Sequence, residues 1–450
     1  MNINQCSAVL ISAPSSGQGK TTITAAIARY HRNKGRKVIV FKTGPDFLDP
    51  TILQQASGTP VYQLDLWMGG EQHCRELLYN AAGEADIILI EGVMGLFDGT
   101  TSSADLAKLF NIPVLVVIDA TAMAQTFGAI AYGLAQYDKD LPFAGVIANR
   151  VASENHKDMI TESLPEGMSL LSMMPRDENI TLPSRHLGLH QADEVSDLNE
   201  RLEKAATLIA NDKLEQLPAA VNFNSVQNNA SGRNLMFLSG QRIAVAKDHA
   251  FCFVYKANIE LLEEMGAELS FFSPLTDCEM PEADSLYLPG GYPELFLQEL
   301  ANNVSMKTSI KKHAEQNKTI VAECGGMLYL LDTLTDKEGN KAEMLGLLPG
   351  NAEMQDKLAN LGLHSVKLPE GELRGHTYHH SKMNSALEPK TMSAPTRKRS
   401  RPESIYRSDN IFASYLHLYL PSNPYVGGSL FSSQQISQPS TSNKERVTCI

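Results

Sequence analysis

An apolar strand ending at Val9–Ser12 runs into Ala13-Pro14-Ser15-Ser16-Gly17-Gln18-Gly19-Lys20-Thr21-Thr22, and an amphipathic stretch follows from Ile23 to His31. Strand, glycine-rich loop and helix in that order are the setting of a phosphate-binding loop. The loop amides and the positive end of the helix dipole cradle phosphate oxygens. Gly17, Gly19, Lys20, Thr21 and Thr22 are thus candidate ATP ligands, with Lys20 reaching the outer phosphates and Thr21 placed for Mg2+. Pro14 stands where G-x-x-x-x-G-K-[ST] has its first glycine.

A second strand, 37–41, ends in Lys42-Thr43-Gly44-Pro45-Asp46-Phe47-Leu48-Asp49-Pro50, a cation and two carboxylates together. Such a group suits a nucleotide–Mg2+ site or the grip on a substrate, although Gly44-Pro45 alone also makes a polar turn. The nearly all-apolar run 85–90 stops at Glu91, the place for a second Mg2+ anchor. Residues 92–99, Gly-Val-Met-Gly-Leu-Phe-Asp-Gly, form a loop that a ligand can approach closely. More apolar strands are expected at 113–119 and 143–148, the latter ending in Asn149-Arg150. Continuous Val/Ile/Leu runs between helical segments imply a parallel sheet covered on both faces. Asn149 either reads an adenine edge or caps a helix. Arg176, Arg185 and His186 make a basic island before a helix expected from Ala192 to about Ala210.

Residues 217–240 lack periodicity and are rich in Asn, Ser and Gly, which reads as a linker. Beyond it, strands are expected at 242–246, 269–273 and 285–288, with a helix at 255–265. The 285–288 strand breaks at Pro289-Gly290-Gly291, whose backbone N–H groups suit an oxyanion hole. Ile320-Val321-Ala322-Glu323-Cys324-Gly325-Gly326-Met327 is an apolar strand, a cysteine, two glycines and a helix start. That turn pushes the thiol out of the sheet, and the helix amides would lower its pKa. His417, on a strand expected over 411–419, is the matching base, with His376, His379 and His380 as rivals. Cysteine and histidine so placed are the arrangement of thiol hydrolases and amidotransferases. The basic stretch 390–401 reads as a solvated loop, and the Ser/Gln/Thr-rich end from about Phe431 as disordered.

The formal charge of −12 argues against a general nucleic-acid or membrane-surface partner. Six cysteines occur without a C-x-x-C pair, so neither a zinc site nor a disulfide framework is indicated. No apolar run reaches membrane-spanning length, and the cytoplasm is the expected location.

Taken in order, seven segments resemble the cobyrinate a,c-diamide synthase family of cobalamin biosynthesis. They are A-P-S-S-G-Q-G-K-T-T from Ala13, K-T-G-P-D-F-L-D-P from Lys42, E-G-V-M-G-L-F-D-G from Glu91, R-H-L-G-L from Arg185, L-P-G-G-Y-P-E from Leu288, E-C-G-G-M from Glu323 and Y-L-H-L-Y-L-P-S-N-P from Tyr415. The resemblance spans nearly the whole chain. It implies an α/β protein of two doubly wound domains. Residues 1–211 would be a dethiobiotin-synthetase-like P-loop domain, 212–240 a linker, 241–430 a class I glutamine-amidotransferase-like domain and 431–450 a tail. It implies ATP- and glutamine-dependent conversion of the a and c acetates of cobyrinate to carboxamides, with Mg2+.

Carried over residue by residue, Cys324 is the nucleophile and His417 its base. Asp46 and Glu91 join Thr21 at Mg2+. Apart from the carry-over, the basic island Arg176, Arg185 and His186, with Lys42, is expected to hold the polycarboxylate macrocycle, and Asp46, Leu48 and Asp98 are further candidate substrate residues. The family shares Pro14. Related triads carry Glu two residues after the histidine, where this chain has Tyr419, which leaves a Cys–His dyad. Where the family tends to read G-H-E-F-H-Y-S, Thr377 replaces the carboxylate. Hydrogenobyrinate and Ni-sirohydrochlorin are alternative substrates, and a homodimer is compatible. A regulatory P-loop ATPase is the rival class; such ATPases commonly carry an extra Lys where this chain has Ser15.

Overall fold

Two mostly parallel sheets, each buried on both faces, carry the chain. The structure, a computed structural model, describes residues 2–185, 188–189, 191–226 and 236–432. It divides into two compact units, Met1–Gly232 with Tyr255–Ala257, and Arg233–Val254 with Asn258–Ile450.

In the first unit the strands run Tyr62–Gln63, Val38–Lys42, Ile87–Glu91, Ile3–Ser12, Val114–Asp119, Phe143–Val151 and Leu170–Pro175 across the sheet, all parallel. Ile87–Glu91 is buried at every position, as its unbroken apolar run requires. The helix Lys20–Asn33 follows the phosphate loop; its Ala25, Ala26 and Ala28 combine high helix propensity with a narrow face that lies close to the sheet. Parallel pairing in register brings the ends of Ile3–Ser12, Val38–Lys42 and Ile87–Glu91 to one edge, so Lys20, Lys42 and Glu91 meet there.

The second unit has Glu268–Phe272, Arg242–Ala246, Ser285–Leu288, Thr319–Glu323 and Ile411–Ser414 in parallel, extended antiparallel by Ser404–Arg407 and Thr391–Met392. The expected single strand over 411–419 is two. Ile411–Ser414 belongs to the main sheet, whereas His417–Tyr419 pairs with Gly371–His379 in a separate four-stranded sheet. The turn between them re-aims the chain, and His417 reaches the site from another layer.

Other boundaries also differ from expectation. Residues 192–194 are a 3-10 turn, and the helix begins at Leu198. Part of the expected loop 390–401 is edge strand, at Thr391–Met392 and Ala394–Pro395, although Arg397, Lys398 and Arg399 are exposed. Phe431, placed at the start of a disordered tail, is fully buried with its ring 5.3 Å from that of Tyr287; residues 433–450 lie outside the described residues. Within the expected linker, Ala220–Asn224 is a strand paired antiparallel with Ile3–Ser12. Its side chains alternate, Val221 and Phe223 inward, which is the period of a half-buried strand. Residues 227–235 of that stretch lie outside the described residues.

If Ala220–Asn224 is part of the first unit's core, Phe223→Ala should cost roughly 3–5 kcal/mol of its stability, read as a lowered denaturation midpoint. A change within error would return the segment to a linker.

Candidate active site

In the first unit the phosphate loop is held from two neighbouring strand ends, by the Asn149 side chain and the Asp119 backbone N–H. Gly19, at φ 89°, leaves no room for a side chain: an added Cβ would lie 2.2 Å from Asn149 Nδ2. Asn149 donates to Gln18 O at 2.9 Å and accepts from Arg150 N, so it braces the loop and is no helix cap; Ser153 caps the next helix. Gln18 in turn accepts from Asp119 N at 2.8 Å. Gln18 was not among the expected site residues, since its role depends on two distant strands.

Lys20 Nζ donates to Met94 O at 2.7 Å and to Ser15 O at 3.2 Å, joining the phosphate loop to the 92–99 loop. Thr21 Oγ1 donates to Glu91 Oε1 at 2.9 Å, and Thr22 is half-buried beside it on the first helical turn. Lys42 Nζ lies 2.6 Å from Glu91 Oε1, 2.7 Å from Asp49 Oδ2 and 3.8 Å from Asp46 Oδ2. Burial alone would lower the Lys42 pKa, but the Asp49, Glu91 and Asp46 carboxylates outweigh it and hold the ammonium well above its ordinary value. Asp49 is thus a closer partner than Asp46, a ranking that sequence order does not reveal. Burial and then Asp49 push Asp46 up to about 7. Burial and then Lys42 bring Lys20 down to about 8.

The other expected substrate residues are less united. Asp98 folds the 92–99 loop by accepting from Gly95 N at 3.0 Å. Leu48 is buried and donates its N–H to Asp46 Oδ1. Arg176 is exposed, its N–H bonded to Val151 O. Arg185 is in a two-residue strand, and His186 lies outside the described residues. Lys42 is buried within the charge cluster, on its three carboxylates.

The donor set fits Mg2+. Glu91 Oε2 is buried without a hydrogen-bond partner among the described residues, beside the Thr21 hydroxyl and the Asp46 carboxylate. No group of three or more His, Cys, Asp or Glu forms a ready cage among the described residues. Mg2+ prefers one or two carboxylates plus substrate phosphates.

In the second unit Cys324 sits at φ 44°, ψ −107°, a strained conformation between the strand Thr319–Glu323 and the helix Gly325–Leu330. Its N–H donates to Ser414 O at 2.7 Å. The helix lies so close to the preceding strand that a Cβ on Gly326 would fall 2.0 Å from Leu288 O. Gly290 is almost as tight. A Cβ there would lie 2.2 Å from His417 Cε1 and 3.4 Å from Cys324 Cβ, so one point touches both members of the dyad. Gly291 N lies 2.9 Å from where a side chain on Gly325 would begin, beside the elbow.

His417 is held through its backbone. Leu418 N donates to Glu323 Oε1 at 3.1 Å, and Tyr287 donates to Glu323 Oε2 at 3.0 Å. Asn258 donates to Leu418 O at 2.8 Å and accepts from Leu420 N at 2.9 Å. Glu323 and Asn258 were absent from the expected site; the clue was a carboxylate within an otherwise apolar strand. Burial pushes Glu323 up to about 8. Of the rival bases, His376 stacks on His417 with ring centres 4.9 Å apart, and His379 lies 3.0 Å from Glu403. Tyr419 is buried.

The expected low thiol pKa is reversed. Burial, then the Glu294 carboxylate, push Cys324 well above its ordinary value, and the Gly325 N–H only partly compensates. Burial, then His379, bring His417 down to about 3. Burial thus favours a neutral thiol and a neutral imidazole and opposes proton transfer between them, so the proton has to move as the sulfur attacks.

Two family models match: a CobQ/CobB/MinD/ParA nucleotide binding domain over residues 9–189, and a CobB/CobQ-like glutamine amidotransferase domain over residues 242–425. Hydrogenobyrinate a,c-diamide synthase of Stutzerimonas stutzeri is 56% identical over 430 residues, covering 96% of this chain and 99% of that protein. The Pseudomonas aeruginosa protein of the same name is 55% identical, covering 95% and 98%. Cobyrinate a,c-diamide synthase of Herminiimonas arsenicoxydans is 46% identical, covering 95% and 97%.

The chain belongs to the cobyrinate/hydrogenobyrinate a,c-diamide synthase family. As a member of this synthase family it is an amide-forming ligase that binds nucleotide and hydrolyses glutamine. No helix among its described residues is long and apolar enough to cross a membrane.

Two outcomes are expected of this synthase's residues. Gly290→Ala must displace His417 and should lower glutamine hydrolysis by about 100-fold or more, whereas turnover supported by added ammonia persists; equal loss of both would count against the dyad. Lys20 keeps its proton below about pH 8 and gives it up above. ATP affinity measured by calorimetry should therefore fall as pH rises through that value, and Lys20→Met should be weak and flat across the same range.

Proposed function

We propose that the chain uses ATP and glutamine to convert the a and c acetate carboxylates of a corrin acid to carboxamides, each through an acyl phosphate. The observation that carries the nucleotide half is Lys20 at the start of the phosphate-loop helix, its ammonium resting on the Ser15 and Met94 carbonyl oxygens, which a phosphate can replace. In a chain of net charge −12, such a lysine is a local device for a polyanion.

A carboxylate resists ammonia because its leaving group is poor. Transfer of the γ-phosphoryl group to a carboxylate oxygen supplies phosphate as the leaving group. Lys20 and the loop amides carry the charge on that phosphoryl group. Thr21, Asp46 and Glu91 are the residues that would hold Mg2+, which neutralises phosphate charge when bound. Asn149 keeps the loop in shape from below.

In the second unit the Cys324 sulfur bonds to the glutamine amide carbon as its proton passes to His417. His417 returns that proton to the departing nitrogen, the C–N bond breaks and ammonia leaves. Water then cleaves the thioester to glutamate and free thiol. The N–H groups around Gly290 and Gly291 carry the oxyanion. Ammonia attacks the acyl phosphate, forming the amide and releasing phosphate.

The relatives above half identity are named for hydrogenobyrinate and the 46% relative for cobyrinate, which supports the metal-free acid as the preferred substrate and the cobalt form as second. Purified protein with ATP, Mg2+ and glutamine should convert hydrogenobyrinate by two successive carboxyl-to-amide changes in mass, with higher kcat/KM than cobyrinate. Cys324→Ala should abolish use of glutamine and spare use of ammonia. Loss of both, or no mass change with either acid, would overturn the reading.

A further inference from the structure

Glu403 is a buried carboxylate that the dyad chemistry leaves without a task. Three donors converge on its Oε1: the Thr377 hydroxyl at 2.9 Å, His379 Nε2 at 3.0 Å and the Asn360 amide. Its Oε2 accepts no hydrogen bond among the described residues, and the residue lines a cavity of about 400 Å3. The carboxylate cannot swing away. His379 is pinned by Ser381 O at Nδ1, and its ring stacks on Tyr415 at 3.7 Å. Ser381 donates to the Tyr415 hydroxyl at 2.9 Å, which fixes that wall as well.

Tyr415 links this cavity to the dyad: it lines the cavity, packs in the same buried cluster as Cys324 and stands two residues before His417. Lys382 and Arg401, also lining it, are exposed. An inner carboxylate with one open oxygen and outer cations is the charge pattern complementary to an α-amino acid zwitterion.

We propose that Glu403 Oε2 receives the α-ammonium group of the glutamine whose side-chain amide Cys324 attacks, while Lys382 and Arg401 receive its α-carboxylate. This rests on the glutamine-dependent reading above. Glu403 is then a substrate-binding residue that admits glutamine and rejects amides lacking the amino group, because such a ligand leaves Oε2 without a donor in a desolvated site.

The test is glutaminase kinetics, with neither ATP nor corrinoid, on glutamine and on glutaramate, which has the same amide and terminal carboxylate but no α-amino group. The wild type should favour glutamine in kcat/KM by roughly 10- to 100-fold. Glu403→Gln should raise the glutamine KM by a similar factor and leave the glutaramate KM where it was, so the preference collapses; Glu403→Asp should keep part of it. Equal rises for both substrates would mean a structural role and overturn the proposal. So would a wild type that uses both equally well, a comparison that needs no variant. Ammonia release from neither substrate would instead overturn the glutamine-dependent reading.

Discussion

Backbone closeness at the Cys324 elbow is the constraint on which the second unit depends. Gly326 lies against the Leu288 carbonyl with no space for a methyl group, and Gly290 fills the gap between thiol and imidazole. Packing this tight leaves the elbow few alternative conformations, and the strain at Cys324 persists because its surroundings overdetermine it. Glu323 and Asn258 then fix a strand from a different sheet against that elbow. The dyad is a junction of two layers, and hydrogen bonds to backbone, more than contacts between the two side chains, set its register.

Charge organises the first unit. A fully buried lysine is costly unless paired, and Lys42 meets that cost with Asp49 and Glu91. Glu91 serves two partners through one oxygen, Thr21 and Lys42, and keeps the other in reserve. Lys20 faces no carboxylate directly and rests on carbonyl oxygens, a weaker arrangement that phosphate can replace.

What was legible in the sequence was what is local. The phosphate loop, the Glu91 strand and the Cys-Gly-Gly elbow are contiguous, and each element follows from its own residues. The break between Ile411–Ser414 and His417–Tyr419 was hidden because Tyr415 and Leu416 are as apolar as their neighbours, and sheet membership there is decided by pairing partners. Ala220–Asn224 was hidden by its brevity and its Asn-rich context. The thiol's acidity was misjudged because a helix start is visible in sequence whereas complete burial is not. Glu403 escaped notice because its donors come from two distant strands, Asn360 on one and Thr377 and His379 on the other.

The pairing of Ala220–Asn224 with Ile3–Ser12 sets Ile3 opposite Asn224, so the strand that opens the first unit and the strand that closes it share an edge. On the ribosome these two are the first and last of that sheet to be made. The inward faces of Cys6 and Ala8 stay incompletely covered until Val221 and Phe223 have emerged. The N-terminal unit is therefore a late folder during its own synthesis: nearly half the chain must leave the exit tunnel before its sheet can be completed.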